Sequence, residues 1–446
     1  MNKILVLLFE GMNYEYLINL IEKGLLPNFK RILDKGKIEQ LKCTPIPYEA
    51  AGITTAFSGM DIEDHGIISY WKAHNHEYKP ELWNSSHVKD KMLWTNEKLQ
   101  KYKFNLVNLF GTYPAYALNG SIISYAMEKT LHFTYPKNLL FDLSKKNAYF
   151  VQDTAVLYRP DITPKEFYDG VRKVEEIRFN TCKELLKDDF DVMILNNTII
   201  DRVSHFYTGE LKDKNKAIDE TIIFQAYKKC DDFLGELIEE VYRKNINLLF
   251  FSEIGFGPLE KFVEINKYLN EQNVLKFNEA GSNGVDYEKS IAFESVQGSH
   301  GININMKSRY QSGIIADHEY DSVVSDIIEI LKKMKNPDND NPMFSSVKRR
   351  EEVFAGHQAV PDIILEPYDW KYVPYGDSYW ANFVHRHCQT GWHRPDSLWG
   401  GIGPDISGCI RSGAYELKDI APTLFNLLGE SAPNNLKGKS LIVSDR

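Results

Sequence analysis

Four short apolar runs punctuate this chain: KILVLLF at 3–9, KFNLVNLF at 103–110, FDVMILNN at 190–197 and INLLFFS at 246–252. Each has the length of a strand and little period-two alternation, which is how strands covered on both faces read. Between them lie stretches with apolar residues at helical spacing: YEYLINLIEKGL, LPNFKRILDKG with its terminal glycine, and the long charged segments 165–187 and 214–243. Strands alternating with amphipathic helices predict a doubly wound α/β sheet. SLWGGIG, at 397–403, is a further strand candidate.

In such sheets ligands collect outside the carboxyl ends of the strands. Glu10 follows the first run, Asp201 the third and Glu253 the fourth, so three carboxylates are expected on one rim. His205 in NNTIIDRVSHFYTG and His393 in TGWHRPDSLWGG add two imidazoles to Asp201. An Asp/His/His set suits zinc or a neighbouring first-row ion such as manganese, and three protein ligands leave a coordination position open. Asp201 and His205 are expected to project from a strand end into a cleft. On spacing alone, a turn-capping Asp201 with locally satisfied histidines is the simpler reading.

The rest of the chain narrows the class. The segment from about 260 to 390 is less regular, rich in Tyr, Asn and Gly, with the polar turn NPDNDNP. It is expected to form an inserted cap that contributes to the substrate site of a single domain spanning 1–446. A net charge of -9 argues against a nucleic-acid backbone as partner. No apolar stretch reaches the roughly 20 residues of a membrane helix. MNKILVLLFEGM reads as a first strand in preference to a signal peptide. Five cysteines without paired spacing suggest no disulfide framework, so a cytoplasmic setting is expected.

Several segments, in this order and spacing, resemble one family: FEGMNYEYLINLIEKGLLPNFKRIL, GITTAFSGMDIEDHGI, GTYPAYALNG, DRVSHF, SEIGFGP, GININMKSR, VFAGHQAVPDIIL and HRPDSLWGGIGPDISG with DIAPTLFNLLG. They are similar to the type I phosphodiesterases and nucleotide pyrophosphatases of the alkaline phosphatase superfamily, and most similar to its predicted phosphohydrolase or phosphomutase branch. The resemblance runs nearly end to end and implies an alkaline-phosphatase-like sheet with an inserted cap, and a small phosphorylated or related anionic substrate. It also implies a two-ion clamp, in which one ion activates a Thr or Ser nucleophile and the other holds the phosphoryl oxygens.

Carried over residue by residue, Asp201, His205 and His393 fall on the ligands of one ion. The other half departs from the family at each placed position. Glu10 stands for an Asp, and Ser252, Glu253, Ile254 and Gly255 stand where the family has Ser-Asp-His-Gly. Glu49 stands at the nucleophile position, with Thr54 and Thr55 at ordinary helix positions beyond it. Glu10 and Glu253 can still reach a metal through their carboxylates, and an all-oxygen donor set favours Mg, Mn or Ca over Zn there. Without a cation, Glu10, Glu49, Glu253 and Asp201 would raise one another's pKa.

A Glu in the nucleophile position has three uses: general base on a water, carboxylate nucleophile, or metal ligand in a protein that only binds. A hydrolase, an inactive binding homologue and a specialised transferase or mutase therefore all remain readings of the resemblance. His385 and His387 are read as surface histidines in preference to further ligands, Arg394 as salt-bridged or solvated in preference to an anion contact, and His65 as structural.

Overall fold

The computed structural model describes residues 2–128, 130, 132–159, 161–278, 284–376 and 388–443. The chain divides into two compact units: Met1–Asp61, Asn84–Pro258 and Cys388–Arg446 form the first, Ile62–Trp83 and Leu259–His387 the second.

The first unit is built on an eight-stranded sheet. Its strand order is Lys37–Lys42, Asp396–Ile402, Asn247–Phe251, Ile4–Phe9, Val192–Asn197, Phe104–Leu109, Gly120–Ser124, Thr134–Tyr135. The five strands from Asn247–Phe251 to Gly120–Ser124 are parallel. Asp396–Ile402, Lys37–Lys42 and Thr134–Tyr135 add antiparallel pairs at the two edges. All residues of Ile4–Phe9 and Val192–Asn197 are buried, which is why neither strand alternates in polarity. Leu5, Leu7 and Phe9 share one core with Leu17, Phe29, Phe179 and Phe233 from the covering helices.

Local chemistry sets the helix bounds. Pro27 opens Pro27–Lys35, where its missing N–H is no loss. Thr163 and Glu166 form a capping box on Pro164–Leu185. The helix expected over 214–243 begins later, as Ile222–Lys244, because the Thr221 hydroxyl accepts from Phe224 N at 3.1 Å and starts it there. The charged stretch before it forms turns and the short 3-10 helix Ile218–Glu220.

The second unit takes in most of the 260–390 segment. It holds an antiparallel sheet in the order Ala292–Glu294, Gly301–Ile304, Ile363–Pro367, Phe344–Arg349, and the helix Tyr320–Lys332. Its own core contains Ile302, Ile304, Val324, Ile327, Leu331, Ile363 and Leu365. Residues 62–83 join it from far upstream. Arg309 is structural here: its two terminal nitrogens donate to the Asp362 carboxylate at 2.7 and 3.0 Å. His65 ends the short helix Ile62–His65, and its Nδ1 accepts from Ile67 N at 3.1 Å. No helix among the described residues is long and apolar enough to cross a membrane.

Candidate metal centre

Three neighbouring parallel strands deliver the carboxylates. Glu253 follows Asn247–Phe251, Glu10 follows Ile4–Phe9, and Asp201 lies just past Val192–Asn197. Asp201 and His205 do not project from a strand end, however. Both lie on the helix Ile199–Tyr207, four residues apart and so on one face. Asp201 N donates to Glu10 O at 3.0 Å, which fixes the start of that helix against the first strand's exit. Gly11 makes the approach close: it has φ +78°, and a Cβ there would lie 3.0 Å from Asp201 Cα.

His393 arrives from almost two hundred residues away on a separate strand, Gly391–Arg394, antiparallel to Gly255–Pro258. Thr390 ties this strand to the end of the Asp201 helix, its N–H donating to His205 O at 2.8 Å and its hydroxyl to Phe206 O at 2.9 Å. Glu49 opens the helix Glu49–Ser58, every residue of which is buried. Gly52 lets that helix press on Glu253, since a Cβ at 52 would stand 2.8 Å from Glu253 Cβ. Gly52→Ala is accordingly expected to destabilise the protein by about 1–3 kcal/mol through overpacking, read from the midpoint of denaturant unfolding. Thr54 donates its hydroxyl to Ala50 O at 2.7 Å within the helix, as an ordinary helix threonine does.

Four donor atoms converge. His393 Nε2 lies 3.4 Å from His205 Nε2, 3.4 Å from Glu49 Oε1 and 3.5 Å from Asp201 Oδ1, and His205 Nε2 lies 3.5 Å from that same Oδ1. All four residues present ligand atoms within 4.8 Å of one another. Bonds of about 2.0–2.2 Å in a tetrahedral shell place ligand atoms about 3.3–3.6 Å apart, so His393, His205 and Asp201 stand at the spacing of three ligands of a zinc-like ion, with Glu49 at that spacing from His393.

The protonation pattern agrees with that size. His393 Nδ1 faces the Pro47 carbonyl at 3.2 Å and donates to it, which leaves the Nε2 lone pair for a metal. Burial holds both imidazoles neutral, with His205 lowered to about 4 and His393 to about 3. Asp201 Oδ1 and Glu49 Oε2 are buried without a hydrogen-bond partner. Lone pairs and carboxylate oxygens packed this closely repel unless a cation lies among them. The residues present therefore fit a divalent ion.

Aromatic rings pack around both imidazoles. Trp392 stacks on His393 at 4.5 Å between centroids, Phe256 meets His205 edge-on at 5.0 Å, and Tyr48 meets His393 at 5.5 Å. Sequence reading missed this box and the Pro47 carbonyl; only the adjacency of Trp392 to His393 hinted at either. Arg394 turns to the backbone, donating to the carbonyls of Trp392, His393 and Pro258. His385 and His387 lie outside the described residues.

Glu10 and Glu253 stand apart from the cage. Among the described residues, neither joins a group of three donors at ligand spacing. Glu10 Oε2 accepts from Asn196 Nδ2 at 2.7 Å, while both oxygens of Glu253 are buried without a hydrogen-bond partner. Ile254 is fully buried and carries no donor side chain. Burial, then the charges of Glu253, Asp201 and Glu49, raises the Glu10 pKa; burial, then the Asp201 charge, raises that of Glu49. Burial pushes Glu253 to about 8.

These shifts fix the sign of a pH dependence for metal-free protein. A raised carboxyl pKa means the folded state keeps a proton that the unfolded state releases above about 4.5, so stability falls as pH rises toward 8. The lowered histidines act oppositely, costing stability below about 6.5. Between pH 6.5 and 8 only the carboxyl effect operates. Thermal unfolding of chelator-treated protein should show a loss there on the order of 1 kcal/mol per pH unit, abolished by zinc. A flat profile would contradict the burial of these carboxyls.

The family model of type I phosphodiesterase / nucleotide pyrophosphatase matches residues 4–396. The chain belongs to that family. No curated protein sequence matches it. Among solved structures, the fold is shared with murine ectonucleotide pyrophosphatase / phosphodiesterase 5, at 15% identity, TM-score 0.55 and 97% of each chain covered. Wild-type alkaline phosphatase PafA matches at 14% identity and TM-score 0.60, over 99% of this chain and 98% of its own. Phosphonoacetate hydrolase from Sinorhizobium meliloti 1021, in complex with phosphonoacetate, matches at 14% and 0.60, over 97% and 96%. The expected alkaline-phosphatase-like α/β sheet is thus the observed one.

Proposed function

We propose that this family member is a metal-dependent hydrolase acting on a small phosphate or phosphonate ester, with zinc or manganese held by Asp201, His205 and His393 and with Glu49 in the nucleophile's place. The observation that carries the reading is Glu49 itself: Oε1 lies 3.4 Å from His393 Nε2, while Oε2 is buried without a hydrogen-bond partner. A bound divalent ion would supply Lewis acidity toward a phosphoryl oxygen and a lowered pKa for water. Glu49 Oε2, buried and without a hydrogen-bond partner, is the oxygen left to take a proton from attacking water. Asp201 and the two imidazoles would hold the ion, Pro47 fixes the His393 tautomer, and Trp392, Phe256 and Tyr48 pack the imidazoles in place.

The ligands of the structural relatives are small and phosphorus-bearing: AMP for the murine ectonucleotide pyrophosphatase / phosphodiesterase and phosphonoacetate for the hydrolase. The test is turnover of bis-nitrophenyl phosphate and of a phosphonate ester by protein loaded in turn with Zn, Mn, Mg and Co. No turnover with any of them would sink the hydrolase reading.

A second reading rests on the same atom. With Glu49 Oε1 included, four protein atoms would be available to one ion, as in structural sites that leave no open position. On that reading the protein binds a phosphorylated ligand without transforming it, and equilibrium dialysis would recover AMP intact.

A further inference from the structure

The family's clamp has two ion positions, and in this chain the second falls to Glu10, Glu253 and Ile254. These residues do not fit an ion. Glu49, Asp201, His205 and His393 converge at ligand spacing; Glu10 and Glu253 belong to no such group of three among the described residues. One oxygen of Glu10 is already taken by the Asn196 amide. Ile254 brings only carbon, and its backbone carbonyl is occupied as well: the Ser252 hydroxyl donates to it at 2.6 Å while accepting from Met12 N at 3.0 Å. Zinc seldom settles for fewer than three protein ligands, and Glu10 and Glu253 bring two carboxylates with no imidazole beside them.

We infer that the chain holds one divalent ion per molecule, at Asp201, His205 and His393 beside Glu49, and that Glu10, Glu253 and Ile254 form a protein wall where a second ion would sit. The inference rests on the metal centre of the proposed function but not on catalysis. The observation that pulls against it is Glu253, buried with neither oxygen hydrogen-bonded, so the experiment addresses that residue directly.

Full-length protein is saturated with zinc, and separately with manganese, desalted, and its metal counted per chain by elemental analysis, for wild type, Glu10→Gln and Glu253→Gln. One ion per chain in all three supports the inference. Two ions in wild type, or loss of an ion on Glu253→Gln or Glu10→Gln, overturns it and leaves the proposed function standing. No ion in wild type overturns both. Should either variant fail to fold by circular dichroism, the wild-type count alone decides between one ion and two.

Discussion

Replacing His205 by alanine is expected to empty the metal centre, lowering divalent-ion affinity by more than about 100-fold and turnover to background. Losing a residue that merely orients a ligand costs about 10–100-fold, and His205 is proposed as a ligand itself. Its Nε2 stands 3.4 Å from that of His393 and 3.5 Å from Asp201 Oδ1. Removing it leaves one imidazole and two carboxylates in a buried cage, with a void beside Phe256 and Trp392 where the ring had packed. Competition against a chromophoric chelator reads the affinity. Thermal unfolding provides a second, activity-free readout. Ligand linkage stabilises the wild type by about 2.7 kcal/mol at free metal 100-fold above Kd, and the variant should gain nothing at the same metal concentration. A folded His205→Ala protein with wild-type affinity would show that the ion binds elsewhere.

Changing Glu49 to glutamine is expected to separate its two capacities. Glutamine keeps the size of the side chain and a carbonyl oxygen that can still ligate, but it is no base near neutral pH. If Glu49 accepts the proton of the attacking water, kcat falls by about 10²–10⁴, a barrier increase of about 2.7–5.5 kcal/mol. Metal affinity should stay within about tenfold, because Asp201, His205 and His393 are untouched. Unchanged kcat would remove Glu49 from the chemistry. If instead the wild type turns over nothing and Glu49→Thr hydrolyses a diester, the closed-shell reading is correct and Glu49 is the plug.

The strands were legible because burial on both faces leaves a continuous apolar run, and the four runs named from sequence became Asn247–Phe251, Ile4–Phe9, Val192–Asn197 and Phe104–Leu109, four adjacent strands of one parallel sheet. The carboxylates at strand exits followed from that topology. The sheet order of the second unit was not legible. Two of its antiparallel strands, Ala292–Glu294 and Gly301–Ile304, are three and four residues long, too short for a period to stand out, and residues 62–83 reach it only through tertiary contact. Asp201 and His205 were assigned to a strand end because NNTIID follows an apolar run directly; the helix there starts within two residues of the strand, tied by Asp201 N to Glu10 O.

The amino-acid sequence by itself determined the sheet class, the family, and the identities of Asp201, His205, His393 and Glu49, since periodicity and motif order are properties of the chain. Only the tertiary structure decided which of the candidate ligands meet. His393 reaches His205 through a strand pairing with 255–258 and the Thr390 bonds, and Glu49 enters the same cage because Gly52 lets its helix close on Glu253. Glu10 and Glu253, equally acidic and equally well placed along the sequence, fall outside that cage. Coordination depends on ångström-scale convergence of side-chain atoms, and that distance is set by packing between elements far apart in the chain, where no local pattern records it.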